Sequence, residues 1–396
     1  MIRLLTFSTL YPNSVSPSHG IFVETRLRHL LTIGAVESRV IAPVPWFPFR
    51  HAVFGEYARH AGVPRHEERN GISVDHPRYL LLPKVGMNSA PYALARAGLT
   101  AARRLIESGY DFDLIDAHYF YPDGVAAMMI GKALGKPVVI TARGTDINLI
   151  PRYRKPRQMI LDAARECAAI IVVSNALKDR MVALGADIRK ITVLRNGVDL
   201  TLFYPENRAE ARAGLGMSCY AMVSVGNLIP TKGHDLVIQA LCDLHDAQLF
   251  IAGRGPEERR LNELASSLGV SDRVTFVGVL SQEKLRSLYS AADCLVLASV
   301  REGWPNVLLE AMACGTPVVS SNVGGTPEIV ASAEAGVLME KRNAEHAVRA
   351  VERLRQAPPS RAATRAYAGL FSWDATTQGQ LSIFSSIKRT MSQCVI

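Results

Sequence analysis

The sequence predicts an α/β protein made of two doubly wound domains, and three observations carry that prediction. Twelve short apolar runs alternate with helical stretches along nearly the whole chain. Continuous apolar runs separated by helices mean parallel strands covered on both faces. The runs fall into two series, with the turn-forming segment Arg195-Asn196-Gly197-Val198-Asp199 between them. A chain of 396 residues, 48% hydrophobic and 20% charged, has room for two domains with full cores.

In order, the first series places strands at residues 3–9, 38–42, 114–117, 138–141, 169–173 and 191–194. The second places them at 221–225, 248–252, 274–277, 294–297, 318–320 and 336–339. Residues 46–91, rich in Pro, Arg and aromatics, read as an irregular excursion. A further junction is expected near 357–373, after Ala357-Pro-Pro-Ser360, followed by a last amphipathic helix from Trp373 to about Ile387. The domains are set at 1–197 and 198–372.

Bulk features exclude several classes. No apolar run reaches the ~18–20 residues that cross a bilayer. The opening Met-Ile-Arg-Leu-Leu-Thr-Phe reads as a buried strand and not as a signal peptide. Six scattered cysteines (167, 219, 242, 294, 314 and 394) and ten unpaired histidines predict reduced thiols in a cytoplasmic protein without a metal site. Residues 1–200 hold 26 Lys and Arg against 17 Asp and Glu, whereas residues 201–396 hold 19 of each. All of the net charge of +9 therefore belongs to the first half. With no nucleic-acid motif and no interleaved aromatic-basic stripe, an anionic membrane surface or phosphate is the expected partner of that half.

The most informative segment is Glu302-Gly-Trp-Pro-Asn-Val-Leu-Leu-Glu310-Ala-Met-Ala-Cys-Gly315-Thr-Pro317. Pro305 suits the first position of a helix, and Gly315 with Pro317 closes it. Glu302 then precedes the helix, Glu310 projects from its second turn, and the helix N-terminus between them can seat phosphate. Carboxylates only accept hydrogen bonds and sugar hydroxyls donate them, so a nucleoside-diphosphate sugar fits the pair. Taken alone, both residues also fit a solvated helix glutamate and a turn glutamate.

Weaker signals lie at other strand ends. Val225-Gly226-Asn227-Leu228-Ile229-Pro230-Thr231-Lys232-Gly233 offers a glycine where backbone can approach a diphosphate and a lysine that can reach it, or only a solvated lysine. Asp116-Ala117-His118 ends a strand, so His118 either meets a sugar or packs under a loop. The loop from Pro12 to Glu24 ends at Gly20, where backbone N–H groups can meet phosphate or simply form a surface turn. Arg143 and Asp146 either line a site or pair with one another. Gly253-Arg254-Gly255-Pro256 lacks the third glycine of a dinucleotide fingerprint, which argues against a dehydrogenase. Gly324-Gly325-Thr-Pro-Glu-Ile is expected to make a tight loop beside the Glu302–Glu310 helix.

Together these pieces resemble the retaining nucleotide-sugar glycosyltransferases of family 4 (group 1), whose fold is GT-B, two Rossmann-like domains facing a central cleft. EGWPNVLLEAMACGTPVV carries the resemblance, with VGNLIPTKG, IAGRGPE, VTFVG, RNGVDLTLF and VGGTPEIV in the family's order. The resemblance implies that Lys232 neutralises the departing diphosphate, Glu310 holds the ribose, and Glu302 and His118 contact the sugar. It implies that Gly20, Gly226, Asn306 and Val307 belong to the donor site, that backbone from Val277 to Val279 meets the base, and that residues 373–396 return to the N-terminal domain. Two positions depart from the family. Asn227 stands where arginine is common, so either Lys232 works alone or Arg254 or Arg143 supplies a second positive charge, and Arg143 stands where histidine is common.

The implied reaction is retaining and needs no metal or other cofactor. Its acceptor would be a glycan or lipid-linked sugar of a bacterial exopolysaccharide or teichuronic-acid type, at the inner membrane face. Two competing readings are a catalytically silent protein that binds sugar nucleotides and a sugar-nucleotide epimerase of the same architecture.

Overall fold

The computed structural model describes residues 1–47, 49, 51, 56–81 and 86–393, with 56 and 57 through the backbone alone. It divides into two compact units, Met1–Arg195 with Asp374–Ile396, and Asn196–Trp373.

Ten strands lie among the described residues of the first unit. They are β1 (Ile2–Phe7), β2 (Val36–Ile41), β3 (Val44–Pro45), β4 (His66–Arg69), β5 (Ile72–Asp75), β6 (Arg78–Tyr79), β7 (Leu114–His118), β8 (Val138–Ala142), β9 (Ala169–Val172) and β10 (Ile191–Val193). Eight form one sheet in the order β10-β9-β8-β7-β1-β2-β5-β4, while β3 and β6 make a separate two-stranded ladder. Every residue of β7 and of β8 is buried, as strands covered on both faces require.

Two expectations are corrected here. The stretch 46–91 is not irregular throughout: its described residues hold β4, β5, β6 and the helix Glu56–Gly62. Nor are all strands parallel, because β4 runs antiparallel to β5, with Arg69 opposite Ile72. The hairpin turns at Asn70 and Gly71, whose φ angles of 50° and 75° are the two positive values of a tight two-residue loop. His-Glu-Glu-Arg at the sheet edge has no apolar run to betray it. Residues 48, 50, 52–55 and 82–85 of that stretch, and Cys394, lie outside the described residues.

The helix Asp374–Gln393 packs on the first sheet. Its Phe384 is fully buried in a cluster with Leu4, Leu114, Val139, Ile171 and Leu194, a contact worth about 1.5–3 kcal/mol. Gly379 lets the helix lie close, since a Cβ there would come within 2.4 Å of Leu194. Arg26, itself buried, donates to Gln380 at 2.9 Å and to the Leu194 carbonyl at 3.1 Å.

The second unit holds β11 (Tyr220–Val225), β12 (Ala247–Ala252), β13 (Val274–Gly278), β14 (Cys294–Leu297), β15 (Val318–Ser321) and β16 (Gly336–Met339). They form one sheet in the order β13-β12-β11-β14-β15-β16, with every pair parallel. Met222, Leu249, Ile251, Val296 and Val319 anchor its core, and helices supply Val237, Ile238, Leu241 and Val351. All twelve apolar runs coincide with strands, within two residues at either end.

Each sheet reverses its strand order beside the unit's first strand. The chain steps outward from β1 to β2 and returns to place β7 on the other side; it steps from β11 to β12 and β13, then returns to β14. Open α/β sheets take ligands beyond the carboxyl ends of strands at such reversals.

Candidate functional site

At the reversal of the second sheet, backbone packing brings three strand ends together. Gly226 leaves β11 at φ 156°, and Leu228 N–H donates to the Arg254 carbonyl at 2.9 Å. A Cβ on Gly253 would lie 1.9 Å from the Gly226 carbonyl oxygen, and one on Gly255 would lie 2.2 Å from that of Leu228. Glycine at both positions thus admits the loop after β11, and Gly253 N–H continues to the Gly278 carbonyl at 2.8 Å. Asn227, Arg254 and Val279 are exposed along this rim, while Val277 is half-buried in β13.

The loop after β14 closes on the same edge. Lys232 ends the single turn Pro230–Lys232, and Gly233 follows at φ 72° with the Ala298 carbonyl where a side chain would have to go, 2.0 Å from a Cβ. Val300 N–H donates to the Thr231 carbonyl at 2.8 Å. These contacts place Lys232 Nζ 2.6 Å from Glu302 Oε1, with both side chains largely but not wholly buried. Gly324, at φ 53° in the loop after β15, sits against the main chain of Glu302, where a Cβ would come 1.9 Å from its carbonyl oxygen.

The helix that follows Glu302 and carries Glu310 runs Asn306–Ala313. Pro305 is its N-cap and not its first residue, because its ψ of 98° is extended although its φ of −77° suits a helix. Its entry is fixed by the Trp304 indole donating to the Asn196 carbonyl at 2.9 Å and by the Asn196 amide donating to Asn306 at 3.2 Å. Val307 follows on the first turn, where Leu308 N–H donates to the carbonyl of the N-cap Pro305 at 3.1 Å. Glu310 accepts from the Tyr289 hydroxyl at 3.1 Å, and burial of its carboxyl pushes it up to about 7 against that hydrogen bond.

The remaining candidates belong to the first unit, around the reversal at β1 and β7. Gly20, at φ 67°, caps the helix Ile21–Leu31 so close to Leu10 that a Cβ would lie 2.3 Å from its carbonyl. His118 is buried, with Nε2 3.2 Å from Asp116 Oδ2 and Nδ1 2.6 Å from Arg143 Nη2. A guanidinium only donates, so Nδ1 accepts and Nε2–H donates, which defines a neutral imidazole. Burial lowers the His118 pKa, Asp116 opposes the shift and the Arg143 charge adds to it. Both ring nitrogens are therefore engaged within the protein. Of the two readings of Arg143 and Asp146, the carboxylate binds the main-chain N–H groups of Arg143, Gly144 and Phe120 at 3.1, 2.7 and 2.7 Å, while the guanidinium reaches His118.

In each unit, buried polar residues escaped the sequence reading. Asp123 is fully buried, accepts from the Thr9 amide and hydroxyl, and is pushed up to about 7 by burial. Pro122-Asp123-Gly124 after a strand end was the available signal. In the second unit, Tyr289 and the buried pair Ser224–His234, at 2.9 Å, lie outside the segments singled out for chemistry, apart from the loop that ends at Gly233 beside His234. Among the described residues no group of three or more His, Cys, Asp or Glu is placed to hold a metal ion, and no helix is long and apolar enough to cross a membrane.

Residues 210–370 match the family described as Glycosyl transferases group 1, and residues 49–202 match Glycosyltransferase Family 4. The chain is 33% identical over 311 residues to a D-inositol 3-phosphate glycosyltransferase of Mycobacteroides abscessus, covering 73% of this chain and 69% of the relative. It is 28% identical over 360 residues to a putative teichuronic acid biosynthesis glycosyltransferase of Bacillus subtilis, covering 89% of each. The fold matches that of a sucrose-phosphate synthase from Thermosynechococcus elongatus with a TM-score of 0.80 at 20% identity, over 98% of this chain and all of the other.

Proposed function

This chain belongs to the group 1, family 4 glycosyltransferases of GT-B fold, and from that membership we propose that it transfers a sugar, with retention, from a nucleoside-diphosphate sugar to a glycan or lipid-linked acceptor of a bacterial envelope polysaccharide. One observation carries the reading: the Lys232–Glu302 pair stands at the strand reversal of the second sheet, beside the N-terminus of the helix Asn306–Ala313.

Breaking the anomeric C–O bond leaves negative charge on the diphosphate and positive character on the sugar. Lys232 and the helix N-terminus meet the first and the Glu302 carboxylate stands near the second, so the reaction proceeds without a metal or other cofactor. Glu310 holds the ribose. Backbone groups from Val277 to Val279 meet the base, and Arg254, exposed near Asn227, supplies the second positive charge. The sugar is handed to the acceptor on its front face, with the departing phosphate taking the acceptor's proton. The basic first half draws the enzyme to anionic lipid at the cytoplasmic face of the membrane, where lipid-linked acceptors lie.

Donor screening with UDP-, GDP- and ADP-sugars, with and without acceptor and with EDTA, tests the reading. Acceptor-dependent transfer that survives EDTA, with a product anomer matching the donor by NMR, is expected. Inversion removes retention, and conversion of the donor to an isomeric sugar nucleotide without acceptor favours the epimerase. Binding to anionic liposomes at low salt tests the membrane step.

A further inference from the structure

Glu310 is held from behind by a rigid donor. Tyr289, on the helix Gln282–Ala291, is fully buried and donates its hydroxyl to Glu310 Oε2 at 3.1 Å. Its ring lies against Phe203 at 6.2 Å between centroids, and its carbonyl accepts from the Thr316 hydroxyl at 2.5 Å. A phenol fixed in this way cannot follow the carboxylate; it sets where the carboxylate sits.

We propose that Tyr289 is a positioning residue for donor binding: by holding Oε2 of Glu310 it presents the other carboxylate oxygen to a vicinal diol, the 2′- and 3′-hydroxyls of a ribose. This rests on the donor-binding role of Glu310 given above. A vicinal diol donates two hydrogen bonds, and an ionised carboxylate meets them fully where a protonated one does not. Burial pushes Glu310 up to about 7, and the Tyr289 hydrogen bond offsets part of that rise. Donor capture is therefore linked to loss of a proton near neutrality, and affinity falls by about tenfold per pH unit below that point.

The charged groups around Glu310 are committed elsewhere. Arg361 is bound to the carbonyls of Ser290, Ala292 and Cys314, and Arg365 to those of Leu200, Phe203 and Ala313. Arg286, on the helix of Tyr289, pairs with Glu206 at 2.6 Å, as Lys232 does with Glu302. The Cys314 thiol, just past the helix of Glu310, is pushed up to about 12 by burial and stays neutral.

The test uses the full chain and Tyr289→Phe. UDP-glucose and GDP-mannose serve as probes, because their phosphates are diesters with no ionisation near neutrality. Calorimetry from roughly pH 6 to 9 gives affinity, and the carbon-13 signal of the Glu310 carboxyl gives its midpoint without ligand. In Tyr289→Phe the midpoint is expected to move up, donor affinity near neutrality to fall about fivefold and recover at higher pH, and kcat to change less than about twofold. An unmoved midpoint, or equal weakening at every pH, overturns the proposal. If neither sugar nucleotide binds while the midpoint still moves, the donor-binding role of Glu310 fails and the Tyr289–Glu310 coupling stands.

Discussion

Lys232 and Glu302, 70 residues apart in the chain, meet at 2.6 Å where the loops after β11 and β14 converge. The pair sets up a competition. A diphosphate arriving at Lys232 must displace or share the Glu302 carboxylate, and like-charge repulsion between the two anions opposes it.

Neutralising that carboxylate should separate binding from chemistry. Glu302→Gln frees the lysine for phosphate, so a nucleoside diphosphate is expected to bind several-fold tighter, about 1 kcal/mol for a partly exposed pair. Turnover is expected to fall by about a hundredfold as the sugar contact is lost. Lys232→Ala should weaken binding and turnover together. Calorimetry beside initial rates checks both; weaker nucleotide binding in Glu302→Gln would sink the competition.

The buried imidazole makes a second prediction. Burial and the neighbouring Arg143 charge lower the pKa of His118 from its usual 6.5, so the folded state resists protonation that the unfolded chain accepts. The sign follows: this contribution to stability is present above the unfolded pKa and is lost as pH falls below it. Nitrogen-15 NMR is expected to show the neutral Nε2–H tautomer at neutrality and a midpoint below that of an ordinary imidazole. Arg143→Gln should raise the midpoint, because a positive neighbour has gone. An imidazolium signal from the wild type near neutrality would contradict the hydrogen-bond assignment.

Glu310 gives the opposite dependence. Its carboxyl is raised from 4.5 to about 7 in the folded protein. The folded state therefore holds a proton that the unfolded chain has released between those values, and stability declines as pH rises through that window. Glu310→Gln, which keeps an acceptor for Tyr289, is expected to stabilise the unliganded protein by about 1–3 kcal/mol above pH ~7 and to leave it unchanged below pH ~4.5. Urea denaturation across this range measures it; a pH-independent gain would point to packing.

What could be read from the sequence divides along physical lines. β7 and β8 are legible because both faces are covered, leaving no polar residue to interrupt the apolar run except Asp116, His118 and Thr141. β4 is illegible for the opposite reason, since an edge strand of His-Glu-Glu-Arg needs no apolar face, and only Asn70-Gly71 marks it. At the site, residue types announce chemistry but not partners. Lys232 and Glu302 are each recognisable in their loops, while their contact depends on Gly233 fitting against Ala298 across two strand connections. Tyr289 is hidden because a tyrosine on the buried face of an amphipathic helix looks the same whether or not its hydroxyl meets a carboxylate. Likewise Gly253 and Gly255 only superficially look like a dinucleotide loop, and their hydrogens face the main chain of Gly226 and Leu228.

Gly324 supplies the last prediction. Its φ of 53° is in the left-handed region, and a Cβ would come within 1.9 Å of the Glu302 carbonyl oxygen, an atom of the main chain that cannot rotate away. Gly324→Ala adds about 1 kcal/mol of backbone strain and must push the Glu302 segment outward. The displacement opens the Lys232–Glu302 pair without altering either side chain. The expected outcome is a folded protein with a modest loss of stability, at least about tenfold lower kcat, and a smaller change in nucleotide affinity, since misplacement of a reacting group costs rate steeply. Alanine at Gly34, where nothing lies within 4 Å and φ is 74°, carries comparable strain without the clash and should leave kcat unchanged. Equal kinetic losses in both variants would mean that strain alone, and not the position of Glu302, limits the reaction.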